Sequence, residues 1–303
     1  MAHQIIKYIF ILFFLNLSFV KAQDDLLQML TQEQPKKKTP VYATFKATRV
    51  ITGQSNEQVA AKHLNFVILH RFGSVNNGIS DLFGLDIANI RFVFDYGLND
   101  NIQLGFGRSS IRKTYDGNIK IKLLKQQKNG MPFSLSYYGN VAINTTPWEN
   151  PNRNNLFTSR LSYLNQLIFS KKINDNFSIL LAPTMVHENL VAKTNDLNTT
   201  ASMGFGSSIK LTRSARFNIE YYPRITGLNN STPPGIKHHN YLALGFDIET
   251  GGHVFQLMFT NGSGMLEQQM IRQTQTSWSD MGIRLGFNIS RTFSFDKQQT
   301  KNW

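Results

Sequence analysis

Along Asn240 to Asn261 apolar and polar positions alternate. Leu242, Leu244, Phe246 and Ile248 are separated by Ala243, Gly245, Asp247 and Glu249, and the beat resumes at Phe255, Leu257 and Phe259 after Thr250-Gly251-Gly252. A period of two sends successive side chains to opposite faces, so the stretch predicts a hairpin with one apolar and one polar face. Similar segments fill most of the chain, and no convincing helix accompanies them to cover the apolar faces. The pattern therefore predicts an all-β fold, a transmembrane antiparallel up-and-down β-barrel with lipid outside and a polar lumen inside.

Staves are expected near 62–72, 88–97, 100–109, 116–126, 131–143, 157–171, 175–187, 200–212, 214–224, 240–250, 253–261 and 281–293. That makes about 12 strands; an alternative of 14 would draw on Ile271 to Trp278. Tight links such as Gly97-Leu98-Asn99-Asp100, Ile173-Asn174-Asp175 and Thr250-Gly251-Gly252 occupy every second connection, and the others are longer. Short periplasmic turns alternating with longer external loops are the mark of such barrels, and they place the end before the first stave in the periplasm.

The N-terminus changes the picture by setting a compartment. Lys7, the apolar run Tyr8 to Val20 and the small residues around Ala22 read as a secretory signal peptide over 1–22, too short to span a bilayer as a helix. Residues 23–40 read as a flexible periplasmic segment, with Asp24 to Leu30 able to form a short helix and Asp24 to Pro40 a candidate docking peptide for a periplasmic partner. Val41 to Ile51 is strand-like but a poor lipid-facing stave, so 41–61 is expected to be a plug or an extra strand. The barrel is then 62–295, followed by a tail over 296–303. With no cysteine there is no lipid anchor, disulfide or thiolate site. Loss of Lys7 and Lys21 with the signal lowers the formal charge from +13 to +11; export turns that basic balance away from nucleic acid and toward lipid or anionic solutes.

Several motifs carry a family likeness. Asp24-Asp25-Leu26-Leu27, Thr44-Phe45-Lys46-Ala47-Thr48-Arg49, His70-Arg71-Phe72-Gly73, Leu82-Phe83-Gly84-Leu85-Asp86, Lys113-Thr114-Tyr115-Asp116-Gly117 and Phe246 to Leu257 are among them. On these residues the chain resembles outer-membrane β-barrels of Bacteroidetes-type bacteria, a family of unknown function (the 5777 family). The resemblance implies the barrel fold and the outer membrane, and implies no activity.

Alternation also yields the lumen-facing charges. Basic candidates are Arg71, Arg91, Lys120, Lys122, Arg160, Lys210, Arg216, Arg224 and Arg284, against Asp95, Glu220, Asp247 and Glu249. Nine against four predicts a basic lumen, which favours anions by focusing the field on a narrow passage. Tyr96, Tyr138, Tyr163, Tyr222 and Tyr241 are expected in the aromatic girdles, and His70, His187, His238 and His239 near the external rim. The expected function is a porin-like pore or binding channel for small anionic solutes. The alternatives are a plugged barrel that acts as a structural or partner-docking component, and, third, a rim-located hydrolase. No Gly-x-Ser-x-Gly elbow, phosphate loop or metal spacing is present, so the reading is non-enzymatic, with no catalytic, cofactor or metal residue assigned.

Overall fold

A computed structural model describes residues 38–191, 196–226 and 237–295. The expected signal peptide, the expected Asp24 to Leu30 helix, the motif Asp24 to Leu27 and the tail 296–303 lie outside the described residues, as does all of the docking peptide Asp24 to Pro40 except its last three positions. Twelve antiparallel strands close into one barrel. They are β1 (His63–Ser74), β2 (Ala88–Asn99), β3 (Ile102–Ser109), β4 (Tyr115–Leu124), β5 (Ser134–Ile143) and β6 (Leu161–Lys172). The second half is β7 (Phe177–Glu188), β8 (Thr199–Lys210), β9 (Ala215–Tyr222), β10 (Tyr241–Thr250), β11 (His253–Thr260) and β12 (Arg284–Ser294). Each strand pairs with its neighbours in sequence, and β12 closes the barrel on β1 from Arg284 opposite Ser74 to Ser294 opposite His63. Among the described residues no helix is long and apolar enough to cross a membrane; the crossing is made by strands.

Burial follows the alternation. On β10, Tyr241, Ala243, Gly245 and Asp247 point inward and are buried, while Phe246 and Ile248 are exposed on the outer face. Leu104, Phe106, Leu257 and Phe259 likewise lie outside. In water such a surface would be unstable; in a bilayer it is the solvent-facing surface the fold requires.

Of the two alternatives for 41–61 only the lumen-entering one remains, and the 14-strand alternative falls. Val41 to Ile51 forms no barrel strand, because the sheet closes without it and its backbone groups find partners in wall side chains. Ile271 to Trp278 is not a stave either: it begins inside α1 (Glu267–Arg272), a helix in the long connection between β11 and β12 whose residues are all buried.

Candidate functional site

The chain enters at the short-turn end, where Thr39–Pro40 pairs with Gln127–Lys128, and leaves at the same end, where Ala61 bridges to Gly97 and the Lys62 N–H donates to the Gly97 carbonyl at 2.9 Å. Between them the segment makes a hairpin-like excursion into the lumen. Its tip is a four-residue turn, closed by the Val50 N–H to the Gly53 carbonyl at 2.9 Å and by a bridge between Arg49 and Gln54. Gly53 is required there, since a Cβ would lie 2.4 Å from the Tyr222 hydroxyl and 2.9 Å from Glu220 Oε1.

A turn tip leaves peptide groups unpaired, and the wall supplies their partners. Glu220 on β9 accepts the N–H groups of Ile51, Thr52 and Gly53 at 2.7, 2.8 and 2.7 Å. Three converging N–H groups form a concave anion nest, here filled by the wall carboxylate. Amides read the carbonyls: Asn218 and Gln256 donate to Val50 O at 3.3 and 3.1 Å, and Asn288 donates to Ile51 O at 2.7 Å. Arg71 donates to the Thr52 hydroxyl at 2.9 Å, which also bonds the Tyr241 hydroxyl at 2.7 Å. Further down, Lys120 donates to the carbonyls of Thr48 and Glu57, both at 3.1 Å.

From the long-loop end α1 descends to meet this tip. Arg49 Nη1 lies 3.5 Å from Glu267 Oε1, and the Gln54 amide donates to the same oxygen at 3.1 Å. Arg272 fixes the helix to the wall through Glu188 at 2.9 Å and Thr200 at 2.5 Å. Both side chains of the Arg49–Glu267 pair are almost fully buried, at 2% and 0% exposure, so the lumen is filled where the two ends meet.

The sequence-derived lumen residues divide into groups. Arg71, Arg91, Lys120, Arg216, Glu220, Asp247 and also Asp95 are buried and inward. Lys122, Lys210 and Arg284 have inward parity but sit half-buried toward the strand ends. Arg160 does not line the lumen: it precedes β6, donates to the carbonyls of Asn144 and Thr146 at 2.8 and 2.6 Å, and stacks on Trp148. Arg224 follows β9 and reaches the Ile271 carbonyl at 3.4 Å; burial and nearby Arg272 lower its guanidinium to about 10. Glu249 is exposed at the short-turn end and pairs with Lys46.

Three tyrosines are placed differently from expectation. Tyr138, Tyr222 and Tyr241 are fully buried in the lumen, because they share parity with Ser136, Glu220 and Ala243 rather than with the lipid face. His70 stacks outside on Phe287, with ring centroids 4.8 Å apart, and among the described residues no three metal-ligating side chains converge.

Sequence reasoning missed Arg49, Asp116 and Glu267. Asp116 falls in β4, where its parity with Asn118 and Lys120 turns it inward to bond Arg91 at 2.7 Å. With these residues and Arg272, the buried charges of wall, segment and helix are Arg49, Arg71, Arg91, Lys120, Arg216 and Arg272 against Asp95, Asp116, Glu220, Asp247 and Glu267. That near balance replaces the nine-to-four excess, and the uncompensated cations lie toward the ends.

A closed sheet with lipid-facing apolar staves and an inward-folded segment defines a transmembrane β-barrel. The chain belongs to the family described as "Membrane bound beta barrel domain (DUF5777)", whose pattern matches residues 45–293 and so includes the lumen segment from Phe45 onward. No curated protein matches the sequence significantly. Among solved structures, similar ones include an outer membrane channel from Pseudomonas putida F1, at 11% identity and TM-score 0.45, covering 78% of this chain and 97% of that one. An active-site mutant of outer membrane phospholipase A from Escherichia coli gives 11% identity and TM-score 0.41, covering 87% and 95%. A FadL homologue from Pseudomonas aeruginosa gives 10% and 0.39, covering 86% and 99%.

Proposed function

We propose that this protein is an outer-membrane barrel held closed at rest, and that it binds or passes small solutes when the lumen segment 41–61 is displaced. The observation that carries this reading is the meeting of the segment tip with α1: Glu267 contacts both Arg49 and Gln54 in the buried centre of the barrel. Beside apolar contacts of Val50 and Ile51 with the wall, the tip is gripped by hydrogen bonds to Glu220, Asn218, Gln256 and Asn288. Each contributes about 0.5–1.5 kcal/mol net, or about 1.5–3 where charged, because water replaces it when lost.

The near balance of buried charge supports small polar solutes in general rather than anions in particular. A lipid-embedded outer surface supports the outer membrane as the location, and the short-turn end, where the segment enters, is the periplasmic end by the usual loop asymmetry. The proposal is tested by osmotic swelling of proteoliposomes in arabinose. Liposomes with the wild-type chain should swell slowly, and those with Gly53→Val, which cannot seat the tip, several times faster. Equal rates for the two folded proteins would reject the closed resting state.

A further inference from the structure

The outer wall of the barrel carries few charges, and they are of one sign. By parity with Phe106, Phe169 and Phe287, the charged side chains at lipid-facing positions of the strands are Arg108 on β3, Lys171 on β6 and Arg291 on β12. Among the described residues no carboxylate on a strand shares that face. Lys171 and Arg291 lie at the short-turn end. Arg108 lies at the long-loop end, two residues beyond the exposed ring of Phe106, with Phe92 and Tyr115 opposite it on the flanking strands. Its guanidinium is 5.9 Å from the centroid of the Tyr115 ring.

The turn that follows β3 adds two more cations. Ile111 turns back toward the barrel mouth and packs against the cluster of Val67, Leu69, Val93 and Met265. With Ile111 anchored, Arg112 and Lys113 follow at φ 51° and 45°, and both are exposed. That left-handed backbone is disfavoured for such residues. The neighbouring loop holds it in place: the Thr146 and Thr145 hydroxyls donate to the Arg112 and Lys113 carbonyls at 3.2 and 2.6 Å. The Ser109 N–H closes the turn by donating to the Thr114 carbonyl at 2.8 Å, so Arg108, Arg112 and Lys113 belong to one tethered turn.

Among the described residues these three cations make no ion pair, and Glu149 on the neighbouring loop does not engage them. Other cations at this end are already engaged, Arg160 by the carbonyls of Asn144 and Thr146 and Arg272 by Glu188. An arginine on the lipid face is tolerated only near the interface, where a counter-charge can meet it.

We propose that the outer face of the β3–β4 turn binds the phosphate of a bilayer lipid headgroup. The planar guanidinium of Arg108 suits two oxygens of one phosphate, and Arg112 and Lys113 add positive charge from the exposed turn. Tyr115 and Phe92 supply the aromatic flank of a membrane interface. Because Arg108 stands on the lipid face and not in the lumen, the phosphate is one that the bilayer presents rather than a free ion. The site goes beyond the closed-lumen reading and does not depend on it.

The test is a lipid titration of the full chain in detergent, followed by native mass spectrometry, with phosphatidic acid, phosphatidylglycerol and phosphatidylcholine of the same acyl chains. The two anionic lipids should bind several-fold more tightly than phosphatidylcholine, whose choline offsets the phosphate charge. Arg108→Gln, Arg112→Asn and Lys113→Asn, the last two chosen because asparagine tolerates the left-handed backbone, should each weaken phosphatidic acid binding roughly fivefold. Lys171→Gln with Arg291→Gln, at the other end, should leave this tightest site unchanged, and millimolar inorganic phosphate should not displace the lipid. Folding is checked by heat-modifiable gel mobility; if Arg108→Gln fails to fold, Lys113→Asn in the exposed turn carries the test. Equal affinity for phosphatidylcholine, no loss in the turn variants, an equal loss from the variant at the other end, or displacement by inorganic phosphate each overturns the site.

Discussion

Replacing Glu220 by Gln tests the latch with little change in shape. The carboxylate accepts three N–H groups, Ile51 and Thr52 on Oε2 and Gly53 on Oε1. A Gln keeps one carbonyl oxygen, which can serve Ile51 and Thr52, and turns an NH2 toward the Gly53 N–H, donor against donor. The stranded donor costs about 1–3 kcal/mol, and the two surviving bonds lose roughly half their strength with the charge. Against this, removing a buried carboxylate recovers part of its desolvation. The net loss is roughly 2–4 kcal/mol. At 1.4 kcal/mol per tenfold, the displaced population rises about 30- to 700-fold.

The chain has no cysteine, so one introduced by Asn56→Cys reports cleanly on exposure of the segment. Asn56 is 6% exposed, and its Oδ1 makes no hydrogen bond, so the reporter disturbs little. In the regime where opening is fast relative to labelling, the rate of reaction with a maleimide follows the open population. Glu220→Gln should therefore raise the labelling rate by one to three orders of magnitude while the barrel remains heat-modifiable. An unchanged or slower rate would show that the carboxylate does not hold the segment.

Further outcomes follow from the same contacts. Arg49→Met and Glu267→Gln should each lower the thermal midpoint of the detergent-solubilised barrel strongly, each stranding a buried charge at a cost of about 3–5 kcal/mol, and the double variant should recover most of the loss in a double-mutant cycle. Gly97→Ala places a Cβ 2.1 Å from the Ala60 carbonyl and 2.6 Å from that of Val59, so the segment's exit must shift; Asn56→Cys labelling should rise, with a loss of roughly 1–3 kcal/mol. Leu257→Arg, on the lipid face, should destabilise the barrel by about 2–4 kcal/mol in a refolding titration in phospholipid vesicles, whereas Ser136→Arg on the lumen face should disturb the segment instead.

Alternation made the barrel legible because lipid enforces it: Phe106, Leu257 and Phe259 could face outward only if Gly107, Gln256 and Met258 faced inward. The same rule placed Arg71, Lys120 and Glu220 in the lumen. It also bears on Tyr138 and Tyr222, whose inward parity outweighs the habit of assigning tyrosine to the membrane interface. What parity cannot give is the partner of an inward group. Nothing local links Glu220 to Gly53, or Glu267 to Arg49, across the lumen. Arg160 and Glu249 illustrate the other limit, since at strand ends a residue's parity no longer fixes whether it meets the lumen or solvent.

Closure of the lumen is tested most directly by single-channel recording in a planar bilayer, with insertion verified independently. The full chain should give no steady conductance, only rare brief openings, and Glu220→Ala should give openings at least tens of times more frequent. Steady current from the inserted wild-type chain, equal in amplitude and duration to that of Glu220→Ala, would contradict the closed barrel.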